Sequence, residues 1–229
     1  VVLGLVVLAL FLGVLGRVGV ARGALLADAG EEKLNFSRIY NESKPYYWRV
    51  FLFFLLLFAA SIAIGGLVAI PVLLVIVFTL GLGLLLLIPL FLVVAFAIKI
   101  LIEQTIVVIV AEDLGIFAAI ERAWKLLFEK PWPQVVVGLA TTIGEIAVMF
   151  VLVIPIFLIL IPLLVSIFFQ TDTVVGIGAI ISGAGFVLYL PVMILISGIM
   201  YAYIGSVWAL TFKRLTKPLA PVVVEATSE

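Results

Sequence analysis

The chain has 229 residues, 66% of them hydrophobic and only 11% charged, with 13 basic residues balanced by 13 acidic ones and no cysteine or histidine. An ordinary water-soluble domain is about a quarter charged, and a chain of zero formal charge carries no electrostatic footprint for nucleic acid. The missing residue types exclude disulfides, thiolate nucleophiles, imidazole acid–base chemistry and the usual zinc sites.

Residues 50–80, 82–98, 135–144, 146–169 and 173–212 contain no Asp, Glu, Lys or Arg. A helical bilayer span needs about 20 mostly apolar residues. Only helices and closed barrels satisfy their backbone in lipid, and continuous apolarity without alternation selects helices. The expected fold is therefore all-α: a polytopic transmembrane helix bundle of five spans over residues 1–217. The last residues, 218–229, are expected to form a flexible tail.

The first span is expected at 1–16, emerging at Arg17 and Arg22, with the helix continuing to about Ala27. No basic segment precedes it, so it does not read as a cleaved signal peptide. A polar turn, AGEEKLN, leads to a short helical stripe of Phe36, Ile39 and Tyr40. Lys44-Pro45-Tyr46-Tyr47-Trp48-Arg49 follows, a basic and aromatic girdle suited to a bilayer surface. The second span runs from about Val50 to Leu80, with Gly65, Gly66 and Pro71 as places to bend or break. Ala59 and Ala63, and Ser61 and Gly65, are small residues four apart that permit close helix approach. After the uncharged turn Gly81-Leu82-Gly83, a third span carries Lys99 and Glu103 and ends near Val110.

Residues 111–133 are the water-compatible island between two greasy runs. Phe117, Ile120, Trp124, Leu127 and Phe128 fall at helical spacing, opposed by Glu121, Arg122, Lys125 and Glu129. Asp113 is placed to cap the first turn, and Pro131 and Pro133 stop the helix. The pattern predicts an amphipathic helix lying along the membrane surface, with Trp132 at the re-entry into lipid. The fourth span, about Gln134 to Phe169, contains Glu145, Pro155 and Pro162. Residues 174–212 are long for one crossing, about 58 Å as a straight helix. The Gly- and Ser-rich VVGIGAIISGAG is expected partly outside or packed as a separate short segment, with the crossing proper at about Phe186–Phe212; two full crossings remain the lower-ranked arrangement.

Twelve of the thirteen basic residues fall in segments 17–49, 111–133 and after 212, and only Lys99 lies inside a span. Five alternating crossings put all three basic segments on one face, which the positive-inside rule makes cytoplasmic. The expected setting is the plasma membrane of a prokaryote, with the C-terminus cytoplasmic. The two cytoplasmic connections share a weak repeat, Ile39…Pro45…Trp48 beside Ile120…Pro131-Trp132.

Lys99 inside a span, IVVIVAEDLGIFAAIERAWKLLFEKPW at 106–132 and GEEKLNFSRIYNESKPYYWRV at 30–50 together resemble the multi-pass proteins grouped with the glycerophosphoryl diester phosphodiesterase membrane domain. The matching residues are Glu112, Gly115, Ala119, Trp124 and Trp132; Ala123 stands where that family often has Ser. The resemblance implies a six-helix bundle, with one helix before Val1, and no catalytic residues. The soluble phosphodiesterase domain of some members has no counterpart here.

The candidate functional residues are the span charges Lys99, Glu103 and Glu145. Each costs at least about 2.5–3.5 kcal/mol near the bilayer centre. Lys99 and Glu145 lie about 18 Å in from the island at the helical rise. Three readings stand: a proton- or ion-coupled site, a structural ion-pair cluster, or a lysine snorkelling to a boundary near residue 103. Lys44, Trp48, Arg49, Arg122, Trp124, Lys125, Lys130 and Trp132 are the candidate headgroup and interface residues. No catalytic set, metal site or cofactor motif is legible. The expected partners are membrane lipids and other membrane subunits or further copies of the chain. The two functions to weigh are a structural, assembly or accessory component of a membrane complex without a catalytic site, and a transporter or lipid-handling protein using the intramembrane cluster Lys99, Glu103 and Glu145.

Overall fold

A computed structural model describes residues 2–31, 35–169 and 172–216, the side chains of 2–10, 169 and 172–174 aside. Among them every regular element is helical: α1 (Val2–Asp28), α2 (Phe36–Phe78), α3 (Leu84–Ala111), α4 (Ile116–Glu129), α5 (Pro131–Phe169) and α6 (Asp172–Thr216). Four of these, α2, α3, α5 and α6, are long and apolar enough to cross a bilayer. The fifth expected span is the first part of α1, where the side chains of residues 1–10 lie outside the described ones, as does the expected tail 218–229.

The helices group into two compact units, Val1–Val135 with Gly205–Glu229, and Val136–Ile204. In the first, α1 packs along the start of α2, and α3 packs on α1, α2 and α4. α1 turns Val14, Val18, Ala21 and Leu26 inward; α2 buries Ser43, Tyr47, Val50 and Phe53. Apart from the step of five to Leu26, these spacings of three and four residues keep one helix face on the partner. The second half of α3 is central: Gln104, Thr105, Ile106, Val107, Val108, Ile109 and Val110 are all buried. The end of α6 adds Trp208, Ala209 and Phe212. Gly205 lies against Val20, where a Cβ would stand 2.8 Å from a valine methyl.

The girdle Lys44–Arg49 does not separate a short helix from a span. α2 runs unbroken through Pro45 and Pro71. A proline inside a helix costs about 3 kcal/mol, and burial of Ser43, Tyr47, Val50 and Phe53 around Pro45 holds the helix together there. Gly65 and Gly66 neither break α2 nor admit a neighbour, since nothing lies within 4 Å of either. Among the described residues the close approach that Ala59, Ala63, Ser61 and Gly65 permit is not seen, and no residue from Phe54 to Lys99 is buried.

The second unit is built from most of α5 and α6, and here the helices do touch closely. Gly144 faces Met200, Gly185 faces Ile159, and Gly178 faces Ser166 and Pro162. A Cβ at Gly178 would stand 2.7 Å from the Pro162 carbonyl oxygen. Tyr189 Oη donates to the Leu152 carbonyl at 3.2 Å, three residues before Pro155. The Leu163 N–H, just after Pro162, donates to Ser182 Oγ at 3.2 Å. Prolines in membrane helices free backbone groups, which neighbouring hydroxyls can satisfy. The Gly- and Ser-rich stretch, expected partly outside or as a separate short segment, is instead continuous with the rest of α6, and its Gly178, Ser182 and Gly185 form the seam on α5.

Candidate functional site

Three helices of the first unit converge on a charged pair. Arg17 of α1 pairs with Glu103 of α3 (3.2 Å), both partly buried, and its guanidinium lies 5.3 Å from the ring centre of Phe54 on α2. This Arg–carboxylate pair with an aromatic against the guanidinium uses the planar geometry that suits Arg better than Lys. Lys99 stands one turn from Glu103 on α3, half-buried. Glu145 stands on α5 in the second unit, also half-buried. In the sequence alone Arg17 marks the emergence of the first helix into water. Its role as partner of Glu103 needs the packing of α1 on α3 across 86 positions.

Further along the first unit six more basic residues are matched by acids. Arg22 pairs with Glu42 (3.0 Å), and Arg38 with Glu42 (3.0 Å) and Glu31 (2.7 Å). Lys213 of α6 pairs with Asp28 of α1. Arg49 donates to both the carboxylate (2.5 Å) and the backbone carbonyl (3.0 Å) of Asp113. Asp113 does not cap α4. The N-cap is Gly115, without a side-chain hydrogen bond, and Asp113 adopts a left-handed conformation with φ of 54°. Asp tolerates that region better than most residues, and Arg49 holds the turn from outside.

Around α4, Arg122 pairs with Glu112 (3.4 Å) and Lys125 with Glu121 (2.6 Å). The Lys125 ammonium holds the Glu121 carboxyl below its ordinary value, by hydrogen bond first and charge second. Lys130 Nζ donates to the Leu215 carbonyl (2.7 Å). The Gln134 side-chain amide donates to the Leu126 carbonyl (2.7 Å), satisfying the end of α4. Lys44 is exposed.

α4 has its expected charged side, but its apolar side is split. Ala119, Ala123 and Leu126 face the protein, and Ile120 and Leu127 are half-buried. Phe117, Trp124 and Phe128 point outward, with the Trp124 and Phe128 rings 4.9 Å apart. Trp48 and Trp132 are also exposed. Small residues let α4 approach the core closely, which leaves the long rings for the outside.

Several buried polar groups escaped the sequence reading. Gln104 is fully buried and neither amide atom makes a hydrogen bond; the same holds for Trp208 Nε1. Leaving such a group unmatched costs about 1–3 kcal/mol. By contrast Thr141, Ser166 and Thr105 spend their hydroxyls on backbone carbonyls of their own helices. Among the described residues no group of three acidic side chains is placed to hold a metal ion. No protein-family model, no curated protein and no solved structure matches the chain.

Proposed function

We propose that the chain is an integral membrane protein that acts as a structural, assembly or accessory component of a membrane complex and is not an enzyme. The observation that carries this reading is how the polar groups are used. Carboxylates pair with basic side chains across helices, and hydroxyls bond backbone, so the chemistry is spent on holding helices together. The resemblance to the phosphodiesterase membrane domain, which carries no catalytic residues, agrees with it.

In this proposal the helices make five crossings of a prokaryotic plasma membrane, with segments 17–49 and 111–133 and the C-terminus cytoplasmic. α4 lies at the surface with Phe117, Trp124 and Phe128 toward lipid headgroups. Partners are lipids and other membrane subunits or further copies of the chain. Gentle purification followed by mass spectrometry of what stays bound tests the reading. A stoichiometric protein partner is the expected outcome. A specific lipid bound instead would favour the second reading, a transporter or lipid-handling protein, which draws on the prolines inside α5 and α6.

A further inference from the structure

The position of the charged residues along the helices measures the membrane. On α3, Glu103 lies nineteen residues from the helix start at Leu84, about 28 Å at the helical rise. On α2, Phe54 lies twenty-four residues from the end at Phe78, about 36 Å. Arg17 touches both Glu103 and Phe54, so these two marks share one level. In the second unit, taken by itself, Glu145 lies twenty-four residues from the end of α5 at Phe169, again about 36 Å. The hydrocarbon layer of a bilayer is about 30 Å thick, and helices cross it with an average tilt of about 20°. In both units the charge thus stands close to one hydrocarbon thickness from the far turn.

The packing changes at the same level in the first unit. From Phe54 to Lys99 no residue is buried, and every side chain of that stretch but the half-buried Lys99 is uncharged. Beyond it, Gln104 to Val110 are buried on all sides, and the outside carries the pairs Arg22–Glu42, Arg38–Glu31, Arg49–Asp113 and Arg122–Glu112. Apolar inside with charge outside is the pattern of a body in water. Bare apolar helices are the pattern of a body in lipid.

We infer that the edge of the hydrocarbon layer runs through the Arg17–Glu103 pair in the first unit and, in the second unit taken by itself, through Glu145, and that in each unit the helix ends beyond this edge stand in headgroups and water. Acyl chains cover α2 from Phe54 to Phe78 and α3 from Leu84 to Lys99. Lys99, about 6 Å on the lipid side of Glu103, reaches the edge by extending its flexible stem. The competing edge, at the tryptophans Trp48 and Trp132, sets Glu103 about 15 Å deep when counted from Asp113. It also stretches the lipid-covered length of α3 to about 42 Å, well beyond the hydrocarbon layer.

The inference rests on the membrane reading of the proposed function but fails separately from it. The chain has no cysteine, so single cysteines can be placed at exposed sites of the full chain. Trp48→Cys and Leu139→Cys lie beyond the proposed edge, Ile62→Cys and Val151→Cys within the proposed hydrocarbon, and all four wild-type side chains are exposed. The protein is reconstituted in phosphatidylcholine–phosphatidylglycerol vesicles and treated on both faces with a charged maleimide. The two sites beyond the edge are expected to react about tenfold faster or more than the two within, a charged reagent being excluded from hydrocarbon. Slow reaction at Leu139→Cys and Trp48→Cys, equal to that at the inner sites, overturns the proposed edge and leaves the membrane reading intact. Fast reaction at all four overturns both.

Discussion

Two apolar helix pairs of similar composition behave in opposite ways. The outer parts of α2 and α3 bury nothing between Phe54 and Lys99, whereas α5 and α6 lock along a seam of Gly144, Gly178, Gly185, Ser182 and Tyr189. Apolarity alone does not bring two helices together in lipid, because lipid tails are as apolar as leucine. Small residues that admit a neighbouring backbone, and hydroxyls that bond across, do. Gly65 and Gly66 are small but meet no neighbour, while Gly178 meets a carbonyl.

The turn of the first pair is closed by its own groups. Between α2 and α3 the chain takes positive φ at Leu80 (51°) and Gly81 (87°), and Thr79 Oγ1 both donates to the Val75 carbonyl and accepts from the Gly83 N–H. This turn satisfies its polar groups within itself. It needs Gly83, where a Cβ would stand 2.7 Å from a Val75 methyl.

The contrast can be broken most forcefully at the seam. Gly178→Leu drives a side chain into Ser166 and the Pro162 carbonyl and is expected to cost about 3 kcal/mol or more, at the top of the overpacking range. Gly66→Leu, with open space around it, is expected to stay within about 0.5 kcal/mol of the parent. Thermal unfolding in detergent compares the two, and equal losses would erase the distinction between the pairs.

Next in size is the pair that ties α1 to α3. Arg17→Ala or Glu103→Ala is expected to cost about 1–2 kcal/mol, less than a fully buried pair because both groups keep some exposure. A double-mutant cycle showing no coupling would remove the pair as a tie. Leu80→Gly relieves a left-handed leucine and is expected to raise stability by about 1 kcal/mol, offset in part by glycine's extra freedom when unfolded. Tyr189→Phe and Ser182→Ala are each expected to cost about 0.6 kcal/mol, the usual worth of a hydrogen bond between membrane helices.

The smallest expected effect lies on α4. Lys125 lowers the Glu121 carboxyl below its ordinary value, so that pair contributes at neutral pH and fades as acid protonates the carboxylate. A slight loss of stability below the ordinary carboxylate range, abolished in Glu121→Gln, is the expected titration.

Much of this was legible in the linear pattern. The start of α3, the stop of α4 before Pro131 and the approximate extent of α5 follow from charge-free runs and prolines. The seam was missed because Gly178 and Gly185 look no different in sequence from Gly65 and Gly66; only the neighbouring helix distinguishes them. Asp113 was misread as a cap because its carboxylate is taken by Arg49, 64 positions away. The apolar side of α4 was read as one face, yet alanines took the inside and the aromatics the outside.

By itself the sequence determined that this chain is helical, with helices long and apolar enough to cross a bilayer, since its longest runs without charge exceed what a span needs and a helix closes its own backbone bonds. Only the tertiary structure decided which charges meet, which glycines carry a contact and which helix faces remain bare. Those depend on side chains brought together across tens of residues, and a helical period records the spacing along one helix without naming its neighbour.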